Sequence, residues 1–135
     1  MKTRALLCVD DDQGVLEFYE TLLASEGYEV LLARDARQAL ALFDSRKNEI
    51  SAVMSDYSMP EINGLELAAE LKKRDPHVPV ILISGCQPVL PENHRVDASL
   101  PKGAPLETIL NQIEVLVNPN GTGQVALSKG VAAGT

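Results

Sequence analysis

Cysteine is nearly missing from this chain: Cys8 and Cys86 are its only two, and nothing about their spacing suits a shared metal ion. A disulfide between them stays open, but isolated cysteines in apolar stretches read as plain core residues. Long apolar runs are also missing. No stretch approaches the roughly 20 residues that a membrane helix needs, and the basic start "MKTRA" leads into a run too short for a secretory signal. The cytoplasm is the expected compartment. Basic clusters are missing too, since nothing exceeds "KKR" at 72–74 in a chain of net charge −7. Direct binding of nucleic acid, which needs a basic footprint to displace counterions, is therefore excluded from the expected functions.

What is present is one alternating pattern. The 135 residues fit one domain, and an apolar share of 45% suits a globular chain. "RALLCV" (4–9), "YEVLLA" (28–33), "ISAVMSD" (50–56) and "VPVILIS" (78–84) are short apolar runs of the kind that form buried parallel strands, and "ASL" (98–100) is a brief fifth. The fourth is the most hydrophobic and reads as central. Between them the apolar spacing turns helical. Val15, Tyr19, Leu22 and Leu23 mark a helix from Gln13 to Ser25, stopped by Gly27. Asp35 caps the next, with Gln38 as a capping-box-like partner and Ala36, Ala39, Leu40 and Phe43 as its inner stripe. Gly64 to Arg74 forms a third, its basic end suited to the helix dipole. Leu106, Ile109, Leu110, Ile113 and Leu116 define the last helix.

Two stretches break the pattern. Pro88 and Pro91 forbid a regular helix across 85–97, leaving room for at most a turn after Pro91. From Asn118 the sequence is rich in Gly, Ala and Ser and reads as a flexible tail, 118–135. Strands alternating with helices predict an α/β fold: a doubly wound, five-stranded parallel sheet in the order 2-1-3-4-5, with its site at the carboxyl ends of the strands.

At that edge the first strand ends in Asp10, Asp11 and Asp12, the third in Asp56 and the fourth in Ser84, while Lys102 follows the fifth. Asp10, Asp11 and Asp56 would crowd about three negative charges together, and Lys102 can balance only one of them. A hard divalent cation such as Mg²⁺ meets that need. Asp12 fits a helix cap instead. Asp56 is a carboxylate nucleophile able to form an acyl phosphate. His77 and His94 read as loop residues, Met54 and Met59 as packing.

The blocks "VDDD", "SDYSMPEINGLEL", "VILISG" and "LPKG" resemble the response-regulator receiver domain of two-component signalling, over about residues 4–117. The resemblance implies a flavodoxin-like fold with a receiver domain over 1–117. It implies a phosphoacceptor at Asp56, a metal set of Asp10, Asp11, Asp56 and the Ser58 backbone carbonyl, and Ser84 and Lys102 as partners of the phosphoryl oxygens. The expected function is Mg²⁺-dependent transfer from a phosphohistidine on a sensor histidine kinase or phosphotransfer protein, then slow hydrolysis, with output by docking to a downstream protein. Such a domain is a signalling acceptor and not a classical enzyme, and no membrane insertion is expected.

Three positions depart from that family. Gly103 stands where proline usually follows the lysine, Ser99 stands where an aromatic usually acts as a switch, and 85–97 is short enough that the fourth helix is degraded or missing. Two rivals share the motifs. A haloacid-dehalogenase-like phosphohydrolase would use the "DxD" of residues 10–12, but it leaves Asp56 redundant. A receiver-like scaffold that is never phosphorylated would have no need of the complete set of acids and lysine.

Overall fold

A computed structural model describes residues 5–85 and 90–117. In order along the chain the elements are β1 (Ala5–Val9), α1 (Gln13–Ala24), β2 (Glu29–Ala33), α2 (Ala36–Arg46), β3 (Ile50–Asp56), α3 (Gly64–Arg74), β4 (Val80–Ser84), β5 (Ala98–Pro101) and α4 (Leu106–Val117). The chain divides into two compact units, Met1–Gly103 and Ala104–Thr135. The first holds the whole sheet, the second α4, whose buried residues are Ile109 and Ile113.

All four strand pairings are parallel, and the order is β2-β1-β3-β4-β5, the flavodoxin-like arrangement that the alternating pattern predicts. The middle strand is β3. The more hydrophobic β4 lies beside it, buried along its whole length. One face of the sheet carries Leu7, Val9, Val53 and Leu82 into a core shared with Phe43 and Ala39 of α2 and Leu67, Ala68 and Leu71 of α3. With a side-chain period of two, Leu6, Cys8, Met54, Ile81 and Ile83 are buried on the opposite face. There α1, packed on β1 and β2, contributes Leu16 and Leu23.

Where bounds differ from the sequence reading, a backbone hydrogen bond is the cause. Tyr28 does not join β2 because its N–H donates to Leu23 O, closing α1 over Gly27, whose φ of 95° suits a residue without Cβ. β4 starts at Val80, not Val78: the Val78 N–H turns back to Asp75 O, and Pro79 has none to give. Asp35 caps α2 by accepting from Gln38 N, but the Gln38 side chain reaches Arg34 N, one residue before the position a capping box uses. Asn63 and Glu66 form a complete capping box on α3.

No helix lies between β4 and β5 among the described residues. A turn follows Pro91, closed by His94 N donating to Pro91 O; Cys86–Val89 and the tail 118–135 fall outside the described residues. The end of this connection is tied down from below. Lys72 Nζ donates to Val78 O (2.6 Å) and to Asp97 Oδ2 (2.8 Å), which also accepts from Val80 N (2.8 Å).

Candidate functional site

The ends of β1 and β2 are locked together by Asp10 N donating to Ala33 O at 3.1 Å. Just past that lock Asp12 N donates to Asp10 Oδ1 (2.9 Å), fixing the orientation of the Asp10 carboxylate. The Asp12 side chain caps α1 by accepting from Gly14 N and Val15 N, the role its position predicts. On β3, Asp56 pairs with Ile83 in register, Ser55 Oγ donates to Asp56 O, and Tyr57 N donates to Ile83 O. The peptide bond that follows Asp56 is thus held at its oxygen by Ser55 and at its N–H by Ile83.

This frame brings carboxylate oxygens of Asp10, Asp11 and Asp56 to within 4.8 Å of one another. Asp10 and Asp56 are buried, Asp11 exposed. At such distances each like-charge pair costs about 3–4 kcal/mol at an effective dielectric near 20. Lys102 Nζ approaches Asp56 Oδ2 at 3.4 Å and Asp10 Oδ2 at 3.7 Å, so one ammonium serves two of the three acids. Burial raises the Asp10 pKa above the ordinary carboxylate value. Asp56 and Asp11 push the same way, against the Asp12 N–H and Lys102. For Lys102 burial acts to lower the pKa, but Asp10 and Asp56 outweigh it, and the ammonium is held above its usual value. A set of three carboxylates short of positive charge fits a hard, oxygen-loving cation.

Ser84 lies buried at the end of β4, and its carbonyl accepts from Lys102 N at 2.9 Å. Ser58 is exposed in the loop after Asp56, and no described residue directs a backbone hydrogen bond at its carbonyl. Every residue the sequence nominated therefore lies at the carboxyl edge of the sheet, delivered by β1, β3, β4 and β5. His77 and His94 are exposed, away from this set, while Cys8 and Met54 are buried.

Residues 6–100 match the family model described as "Response regulator receiver domain". The chain belongs to the response-regulator receiver family. It is 39% identical over 83 residues to the transcriptional regulatory protein GlrR of Escherichia coli, a match covering 62% of this chain and 18% of that protein. The receiver thus spans under a fifth of the length of that curated relative. Among solved structures it is similar to a response regulator receiver domain protein from Clostridium thermocellum. The TM-score is 0.81 at 28% identity, over 86% of this chain and 95% of that one. It is also similar to the response regulator TrrA of Thermotoga maritima, solved in complex with Mg²⁺-BeF. There the TM-score is 0.76 at 28% identity, over 86% of this chain and 99% of the other.

Within this receiver the two unusual positions have visible physical settings. Gly103 gives no rigidity to Lys102, but the bond from Lys102 N to Ser84 O anchors the lysine's backbone to β4. Ser99 sits in register with Leu82, and its Oγ is buried without a hydrogen-bond partner among the described residues. Sequence reasoning passed over two contributors. A Cβ on Gly64 would lie 2.7 Å from Asp56 O and 2.5 Å from Leu82 Cδ1, so only glycine lets α3 start this close to Asp56. A glycine opening a helix, where it is a poor former, was the available signal. The other is Arg34, whose Nη2 donates to Asp11 O at 3.4 Å, and no local pattern announces it.

Proposed function

We propose that this chain is a phosphoacceptor of a two-component phosphorelay and that Asp56 receives the phosphoryl group. The supporting observation is the convergence of Asp10, Asp11, Asp56 and Lys102 from separate strand ends onto one edge. The donor is a phosphohistidine on a sensor histidine kinase or phosphotransfer protein, or a small acyl phosphate. An Asp56 carboxylate oxygen attacks phosphorus, the P–N bond of the phosphohistidine breaks, and its electron pair leaves with the imidazole. The product is an acyl phosphate. Its slow hydrolysis returns the carboxylate and inorganic phosphate, as water attacks phosphorus and the bond from phosphorus to the carboxyl oxygen breaks.

Asp10, Asp11, Asp56 and the Ser58 carbonyl would hold Mg²⁺, which when bound supplies Lewis-acid neutralisation of charge on the phosphoryl oxygens. Lys102, already on the Asp56 carboxylate, moves its hydrogen bond to a phosphoryl oxygen, and the Ser84 hydroxyl takes another. Asp10, its Oδ1 engaged by the Asp12 N–H, turns Oδ2 toward the lysine and keeps the ammonium over the reacting oxygen. In this reading 1–117 is the receiver and 118–135 a tail. The protein acts in the cytoplasm, as a signalling acceptor and not a turnover enzyme, and passes its state on by docking to a downstream protein. Among the described residues no helix is long and apolar enough to cross a membrane.

Incubation with acetyl phosphate and Mg²⁺, followed by intact-mass measurement, tests the proposal. Wild type should gain one phosphoryl group and Asp56→Asn none. No gain in wild type would favour the unphosphorylated scaffold, and equal gain in the variant would move the acceptor elsewhere.

A further inference from the structure

On the β2 side of the acid triad the surface dips into a hollow of about 400 Å³ lined by Asp11, Arg34, Asp35, Arg37, Pro60 and Glu61. Lys102 stands on the opposite side, with β4 and β5. The hollow touches the triad through Asp11 and the acceptor loop through Pro60 and Glu61, so it adjoins the site where phosphoryl transfer is proposed. The lining holds two exposed arginines and three acids, yet neither Arg34 nor Arg37 forms an ion pair among the described residues. Arg46 pairs with Glu29 and Glu49, and Arg74 with Asp44 and Glu70, whereas the exposed Arg95 shares with Arg34 and Arg37 the lack of an ion pair among the described residues. Arg34 instead rests on a neutral acceptor, the Asp11 carbonyl. Of the carboxylates, Asp35 is engaged in capping α2, and Asp11 belongs to the proposed cation set. With Asp11 committed to a cation, the lining sets Arg34 and Arg37 against Asp35 and Glu61 and carries no net charge. A dianionic donor approaching a chain of net charge −7 meets general repulsion, and a lining whose two arginines balance its remaining acids lessens that repulsion along this side of the site. Guanidinium groups are suited to phosphoryl oxygens by their planar fork of donors.

We propose that Arg34, seconded by Arg37, is a specificity residue for the anionic phosphoryl donor: it draws the donor's phosphoryl group in through this hollow toward Asp56. The inference rests on the phosphoacceptor reading of Asp56. It is separate from metal binding, because the arginines carry the charge that a cation site does not use.

The test compares wild type, Arg34→Gln, Arg34→Lys and the Arg34→Gln/Arg37→Gln double variant. The readouts are the second-order rate of phosphoryl gain from acetyl phosphate, by intact mass at several ionic strengths, and Mg²⁺ affinity by calorimetry without donor. Arg34→Gln should lower the rate about two- to five-fold at low salt, the range for exposed charge interactions, and the double variant should lower it further. Arg34→Lys should retain most of the rate. The deficit should fade toward about 1 M salt, where screening reaches ~3 Å, while the Mg²⁺ affinity of Arg34→Gln is not weakened. Equal rates for wild type and the double variant would overturn the proposal. So would a weaker Mg²⁺ affinity with a salt-independent rate loss, which would make Arg34 a brace for the Asp11 loop. Absence of any phosphoryl gain in wild type would instead remove the acceptor reading itself, and that outcome is recognised before any variant is compared.

Discussion

Replacing Gly64 with alanine would push a methyl group into space already occupied by Leu82 Cδ1 at 2.5 Å, Asp56 O at 2.7 Å and Tyr57 Cα at 3.1 Å. Leu82 can turn aside, but the other two are backbone atoms. Gly64 N also donates to Tyr57 O at 2.8 Å, so α3 cannot back away without losing that bond. Alanine gains up to about 1 kcal/mol as a helix former, against about 1–3 kcal/mol for overpacking. The immovable neighbours place this site at the upper end, for a net loss of about 1–2 kcal/mol. In a domain of this size that lowers Tm by about 3–10 °C. The strain falls on Asp56 O, so the rate of phosphoryl gain should fall along with stability. The control is Gly103→Ala, where a Cβ meets nothing within 4 Å; it should stay within about 0.5 kcal/mol of wild type. Urea titrations of the three proteins, with phosphorylation rates measured at a temperature where all are folded, decide the matter. A Gly64→Ala midpoint equal to that of wild type would refute the steric reasoning.

Asp97→Ala removes the acceptor of both Lys72 Nζ and Val80 N. A buried N–H and a largely buried ammonium then each lose a partner, so the urea midpoint should drop by about 2–3 kcal/mol; an unchanged midpoint would show that water replaces the carboxylate freely. Ser99→Ala should instead stabilise by about 1 kcal/mol, since it deletes a buried hydroxyl oxygen that has no described partner; a lower midpoint would mean that the hydroxyl is bonded in solution. The Cys8 thiol is pushed up to about 12 by burial, with Glu20 and Asp10 adding to it. In a Cys86→Ser background a thiol reagent at pH 8 should leave the native protein unlabelled and label it once unfolded. The same shift means that the folded form keeps this proton longer than the unfolded one. Its contribution to stability is complete below about pH 9 and is lost as pH rises toward 12; labelling of native protein at pH 8 would contradict the burial.

Much of this fold could be read in advance because its signals are local. β3 and α3 have the bounds expected, since Asp56 ends the short run 50–56 and the basic residues up to Arg74 suit a helix end, while the Asn63–Glu66 capping box was not anticipated. Asp12 and Asp35 were recognisable as caps for the same reason. The sheet order followed from the alternation of strands and helices, and that order placed the acids and Lys102 at one edge. What escaped depends on distances across the fold. The clash at Gly64 exists only once β3 and β4 have brought Asp56 O and Leu82 beside α3. The clip from Lys72 to Asp97 joins residues 25 apart in sequence, and the arginines of the hollow gain meaning only beside Asp11 and Pro60. Ser99 was noticed for the aromatic it replaces, yet its unpartnered oxygen needed the packing around β5 to become visible.

The hold on the Asp56 backbone has a consequence for how a signal can leave the site. With its carbonyl taken by the Ser55 hydroxyl and the following amide, Tyr57 N, bound to Ile83 O, the main chain at Asp56 is a fixed post. A phosphoryl group added there alters the local charge without moving the post. Among the groups that reach toward it is Lys102, held to β4 by its own N–H while its ammonium spans two acids. On the proposed phosphoacceptor reading, signalling would then start as a contest for one ammonium: the side chain that lets go of Asp10 and Asp56 in favour of the newcomer would be the first moving part.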